Sequence, residues 1–151
     1  MDRRIGIQIS LIKQHLSRIL EKMLDEYGID AFNCPQGRIL YVLWNRDSIS
    51  IQELANQTGL VNTTLTSMLD RMEEKELVKR KPAPGDRRKF LIALTKKARK
   101  LEKEYHEVTE RMTDLTYKGF SAEETNQLEA YLDRILENVR EAELRQKTSN
   151  E

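Results

Sequence analysis

Apolar residues return every three or four positions through much of the chain, which is the period of one helical face. Ile5, Ile9, Ile12, Leu16, Ile19, Met23 and Tyr27 predict a first helix from about Ile5 to Tyr27, stopped by Gly28. Pro35 opens a second helix holding Ile39, Leu40, Leu43 and Trp44, because proline has no N–H to leave unpaired in a first turn. Ser50 and Glu53 form a capping box for a short third helix, Ile51 to Gln57, ending near Gly59. Asn62 is a good N-cap for a fourth helix running to about Glu76. The period then shortens to two. Leu77–Lys81 and Lys89–Thr95 read as strands on either side of Pro82-Ala83-Pro84-Gly85, the strongest turn signal in the chain, which gives a hairpin with a long basic tip. A long helix follows through Ala98, Leu101, Tyr105, Val108, Met112 and Leu115 to Gly119. The last helix starts at Ser121, with Glu124 completing a capping box, and holds Leu128, Leu132, Ile135, Val139 and Ala142. Disorder is expected only in the final residues, RQKTSNE.

The order α-α-α-α-β-β-α-α defines a mostly helical fold with a small β-hairpin wing, a winged helix-turn-helix layout. The first and the last two helices are long, amphipathic and remote from that unit. Three such stripes cannot all be buried on one small head, so a second copy of the chain is the economical partner.

A length of 151 residues predicts one domain, or at most one domain with an appendage. It has 26 basic and 25 acidic side chains, so overall charge says nothing of an anionic partner. The distribution does. Residues 75–100 carry net +9, between segments of −2 and −6. Most charge runs are solvated faces; this one coincides with the hairpin. The longest apolar run, Ile39–Trp44, is far too short for a membrane span. The opening MDRRIGIQIS interrupts its apolar residues and does not read as a signal peptide. A single cysteine excludes an internal disulfide framework and fits a reducing cytosol. His15, Cys34 and His106 are too scattered for a zinc site. No nucleophile–base pair or phosphate loop suggests an enzyme, and no cofactor is implied.

The stretch Gly59–Thr95 resembles the MarR family of bacterial transcription regulators. The likeness lies in Thr63-Thr64-Leu65-Thr66, Leu77-Val78-Lys79-Arg80, Asp86-Arg87-Arg88 and Leu94-Thr95, with Cys34-Pro35-Gln36 at the entry to the second helix. Any one piece is weak; the ordered set is specific, and the resemblance extends over nearly the whole chain. It implies one domain over 1–147, with a DNA-binding head at 33–95, dimerisation helices at 1–28 and 96–147, and a tail at 148–151. Three positions depart from the pattern. Glu76 stands where the family has Gly, Ser67 where many members have Arg, and Cys34 where Ser or Thr caps.

If Leu65, Leu69 and Met72 face the core, Thr63, Thr66, Ser67 and Asp70 face away. The N-terminal end of such a helix enters the major groove. Asn62, Thr63, Thr66 and Ser67, with Thr64 from the matching motif, are the base-reading candidates. Asn62 has the alternative of simply capping the helix. Arg87, Arg88 and Lys89 form the wing set; the resemblance implies that Arg88 enters the minor groove and that Asp86 orients it by an ion pair. Arg38, Arg71, Lys79, Arg80 and Lys81 are candidates for phosphates.

The partners expected are double-stranded DNA bearing an inverted repeat, a second copy of the chain, and a small ligand, aromatic among the options, whose binding releases the DNA. By resemblance the ligand lies among the first, second and fifth helices, and Ile12, His15, Ile19, Tyr41 and Trp44 are the local candidates, with core or dimer packing as their plainer role. The expected setting is the cytoplasm of a bacterium or archaeon, on the nucleoid. Two alternatives stand beside this reading: a winged-helix module that binds protein, and an oxidant sensor acting through Cys34, whose place near a helix N-terminus would lower its thiol pKa.

Overall fold

A computed structural model of the protein describes residues 3–149. The elements run α1 (Ile5–Glu26), α2 (Cys34–Asn45), β1 (Ile49–Ser50), α3 (Ile51–Thr58), α4 (Asn62–Glu74), β2 (Val78–Ala83), β3 (Asp86–Leu94), α5 (Lys96–Lys100), α6 (Glu102–Thr116) and α7 (Ala122–Thr148). The fold is the expected winged helix. Two compact units divide after Met112.

The first unit holds the core. Ile39, Leu40, Leu43, Leu54, Leu65, Leu69, Met72, Leu77, Ile92 and Val108 are fully buried. Leu65, Leu69 and Met72 come from one face of α4, as the spacing predicts. Each such side chain contributes roughly 1.5–3 kcal/mol by leaving water. α2 starts earlier than Pro35 suggested. Asn33 is its N-cap and makes a full capping box with Gln36. Cys34 is therefore the first helical residue and not a cap. The Ser50 side chain accepts from the Glu53 N–H, but the Glu53 carboxylate turns to Arg46, 2.6 Å away, so that box is half made.

The sheet has an unexpected third strand. β1 pairs antiparallel with β3 through Ile49↔Ile92 and Ser50↔Leu91, giving the order β1-β3-β2. Asp47 ties down its approach. Oδ1 accepts from the N–H of Leu94 (2.9 Å) and of Ser48 (2.7 Å), and Oδ2 pairs with Arg99 on α5.

The predicted helix after the wing is divided at Leu101 into α5 and α6. Thr95 caps α5, its hydroxyl oxygen accepting from the Ala98 N–H and its O–H donating to the Glu76 carbonyl at 2.6 Å. Ala98, Tyr105 and Val108 are buried with the head.

The second unit begins at Thr113. Ser121 and Glu124 make the capping box read from the sequence, and α7 then runs 27 residues with none of them buried. It continues through Arg145–Thr148, where disorder was expected, with a C-cap at Ser149. The rest of the expected tail, residues 150 and 151, lies outside the described residues.

Candidate nucleic-acid interface

The helix-turn-helix is α3 and α4, joined through Gly59 in the left-handed region (φ 71°). Asn62, Thr63, Thr64, Thr66 and Ser67 are all exposed on α4. Asn62 does not cap the helix. Val61 holds the N-cap position, and Asn62 is the first helical residue with its side chain left outward. Capping preference ranks Asn above Val, yet here the chain turns one residue earlier.

α4 ends in a Schellman motif. The Leu77 N–H reaches the Met72 carbonyl and the Glu76 N–H reaches that of Glu73, both at 2.9 Å. Glu76 sits at the left-handed position, φ 58°. The departure from glycine noted in the sequence thus falls where glycine fits best.

The wing is better defined than its sequence suggested. β2 runs through Pro82, so the tip is only Pro84-Gly85, with Gly85 at φ 80°. Pro82 pairs with Phe90 and Ala83 with Asp86. Arg87, Arg88 and Lys89 therefore have no opposite residue on β2 and form a bulge. All three are exposed. Asp86 does shape this bulge, but not through an ion pair with Arg88. Its Oδ1 accepts from the Arg88 backbone N–H at 2.9 Å, which leaves the guanidinium pointing to solvent.

The phosphate candidates separate into two groups. Arg71, Lys79 and Lys81 are exposed. Arg80 is not available in the expected sense. It pairs with Asp70 at 2.7 Å and Glu73 at 3.3 Å, and its side chain is only 24% exposed. Its guanidinium is instead paired with two carboxylates of α4. Arg38 donates to the Thr58 carbonyl at 3.3 Å and so closes the C-terminal end of α3.

Of the ligand candidates, Ile12, His15 and Tyr41 are exposed, and Ile19 packs at the fringe of the core. Trp44 belongs to an aromatic cluster. Its ring lies 5.0 Å from Tyr105 and 6.4 Å from Phe32, and its indole N–H donates to the Ala98 carbonyl at 3.1 Å. Gly37 allows this approach: a Cβ there would stand 3.1 Å from Phe32 and 3.2 Å from Tyr105. Burial raises the Tyr105 pKa to about 12, with smaller contributions from Cys34 and Tyr41. The Cys34 thiol is also pushed up, first by burial and then by Glu21, against the weaker effect of a backbone hydrogen bond. The sequence expectation of a lowered thiol pKa is therefore reversed, because the thiol tucks in toward the Ser17 carbonyl, 3.8 Å away, at the packed side of the helix start. No group of His, Cys, Asp and Glu suited to a metal occurs among the described residues. Among them too, no helix is long and apolar enough to cross a membrane.

Sequence reasoning missed Val61, Asp47 and Arg99. Val61 had no signal, since an aliphatic residue is a poor cap. Asp47 and Arg99 meet across 52 positions of chain.

A helix-turn-helix with an exposed polar face, flanked by a cationic wing, defines a winged-helix protein of the DNA-binding type. Residues 32–90 match the model of the MarR family, and over that head the chain is similar to the family's winged helix-turn-helix transcriptional regulators. It is 28% identical over 139 residues to the organic hydroperoxide resistance transcriptional regulator of Bacillus subtilis, covering 92% of this chain and 91% of that one. A crystal structure of a mutant E. coli MarR in complex with operator DNA superposes with a TM-score of 0.78 at 27% identity, covering 87% of this chain and 93% of that one. The Bordetella bronchiseptica regulator BpsR, described in a study of how 6-hydroxynicotinic acid regulates its DNA binding, shares the fold at a TM-score of 0.77 and 21% identity, over 88% of this chain and 98% of that one.

Proposed function

We propose that this protein is a cytoplasmic transcriptional repressor that binds an inverted-repeat operator as a homodimer and is released by a small ligand. The observation that carries the reading is the wing bulge. Three cations, Arg87, Arg88 and Lys89, are put out of sheet register beside a helix whose groove-facing side chains are small and polar. Arg88 is assigned to the minor groove and Asn62, Thr63, Thr64, Thr66 and Ser67 to base edges. Arg71, Lys79 and Lys81 hold phosphates, each adding about 0.9 to the slope of affinity against salt. Repression follows from occlusion of a promoter. The exposed apolar positions of α1 and α7 support the homodimer. Ligand release is supported by the aromatic cluster that joins Phe32 and Trp44 to Tyr105 of α6, since a small molecule lodging against it would shift α6 relative to α2. The regulation of BpsR by an aromatic acid supports the same reading. A thiol sensor at Cys34 is the weaker alternative, because a thiol held protonated is a poor nucleophile.

The test is fluorescence anisotropy of the full-length protein on DNA from its own upstream region, with an unrelated fragment as control and salt varied throughout. Tight, upstream-selective and salt-steep binding is expected. No binding at low salt would overturn the reading and favour a protein-binding module, whose salt dependence would be shallow.

A further inference from the structure

We infer that Val61 reads a thymine methyl group in the major groove. This rests on the DNA-binding reading above and adds one base contact to it. Val61 is the N-cap of α4 and is 59% exposed. Two folding preferences are broken at this one position. N-cap side chains usually accept a hydrogen bond from the first turn; Asn33, Ser50, Thr95 and Ser121 all do so at the starts of α2, α3, α5 and α7, while Arg4 at the start of α1 does not. Valine cannot, and the first turn of α4 has no side-chain cap. The isopropyl group also stays largely in water, as does that of Val139 on α7, whereas Val42, Val78 and Val108 are buried. Both losses stand in the free protein as described: the first turn has no side-chain cap, and Val61 stays 59% exposed.

The second loss is recovered if α4 enters the major groove with its N-terminus leading. The one apolar group that a base edge presents there is the C5 methyl of thymine. Asn62, Thr63, Thr66 and Ser67, just behind Val61, supply hydrogen-bonding groups, and Val61 adds an aliphatic surface larger than the threonine methyls. An exposed aliphatic group at the leading end of the helix is then a specificity element and not a packing defect.

The experiment begins by selecting preferred sites from random-sequence duplexes with the full-length protein. The preferred duplex is then remade with deoxyuridine replacing thymine at one symmetric pair of positions at a time, which keeps the base pair and removes only the methyl. Wild-type affinity should fall about fourfold for each methyl lost at the contacted thymine, the transfer free energy of one buried methyl group. The same replacement should leave the affinity of Val61→Ala unchanged. Val61→Ser, which restores a cap and so keeps the helix formed, should be equally insensitive. If a site is selected but no thymine couples to residue 61, the Val61 contact is overturned while the DNA reading stands. If no sequence is enriched at all, both are overturned.

Discussion

Glu76 holds a left-handed backbone conformation with φ 58° at the end of α4. A side chain there crowds the following carbonyl, and glycine would not. Glu76→Gly should therefore raise stability by about 0.5–1 kcal/mol, the relief being partly offset by the greater freedom of glycine in the unfolded chain. The urea midpoint should rise with the slope unchanged; a lower midpoint would show that the Glu76 side chain contributes a contact that outweighs the strain. Arg88 and Arg80 lie close in sequence but differ in what holds them. Arg88 has its backbone fixed by Asp86 and its head in solvent, so Arg88→Ala should weaken specific DNA binding by about 1–3 kcal/mol without changing stability. Equal affinity for the variant would remove it from the interface. Arg80 is held by Asp70 and Glu73. Arg80→Gln should weaken DNA binding because it unmasks two carboxylates, about 1 kcal/mol each at close range. Adding Asp70→Asn and Glu73→Gln should restore the affinity. A phosphate contact made by Arg80 itself would not be rescued that way.

The elements were legible in the sequence where their cause is local. The helices of the head follow from apolar spacing, and the starts of α3 and α7 follow from Ser50 and Ser121, whose partners are three residues on. Elements that depend on distant pairing were not legible. β1 has two residues, too few for any period, and exists because Ile49 meets Ile92. The wing bulge depends on the register between Pro82 and Phe90, which no residue count could fix. The candidate site shows the same split. The outward face of α4 could be read once Leu65, Leu69 and Met72 were taken as core, whereas the capture of Arg80 by α4 required the strand to be placed. The junction of α2 and α6 carries its own prediction. Tyr105 has its pKa raised to about 12, mainly by burial, so its neutral form is favoured in the folded state. Its contribution to stability is present in full below the unfolded value near 10. It is lost as pH rises from there through about 12. Stability measured by denaturation should decline over that window, and Tyr105→Phe should flatten the decline. An identical pH profile in the variant would show that other groups cause it.

At the scale of the whole molecule the question is what α1 and α7 are for. Ile5, Ile9 and Ile12 of α1 are exposed, at steps of four and three along one face. On α7, Leu132, Leu136 and Val139 are exposed at the same steps, with Tyr131 and Leu144 beside them. None of the 27 residues of α7 is buried. Most helical stability comes from packing an apolar face, not from intrinsic propensity, so a lone α7 would have little to hold it beyond its capping box and surface pairs such as Arg145–Glu141. A two-fold partner would cover these stripes and would also set two α4 helices about 34 Å apart, the spacing of successive major grooves on one side of DNA. The full-length protein should therefore sediment as a dimer at micromolar concentration. Truncation after Phe120 should give a monomer whose head stays folded, because the buried core ends at Val108. The same truncation should lower operator affinity far more than it lowers head stability, since one half-site is then bound without the other. A full-length protein that sediments as a stable monomer with α7 intact would sink this architecture, and with it the inverted repeat.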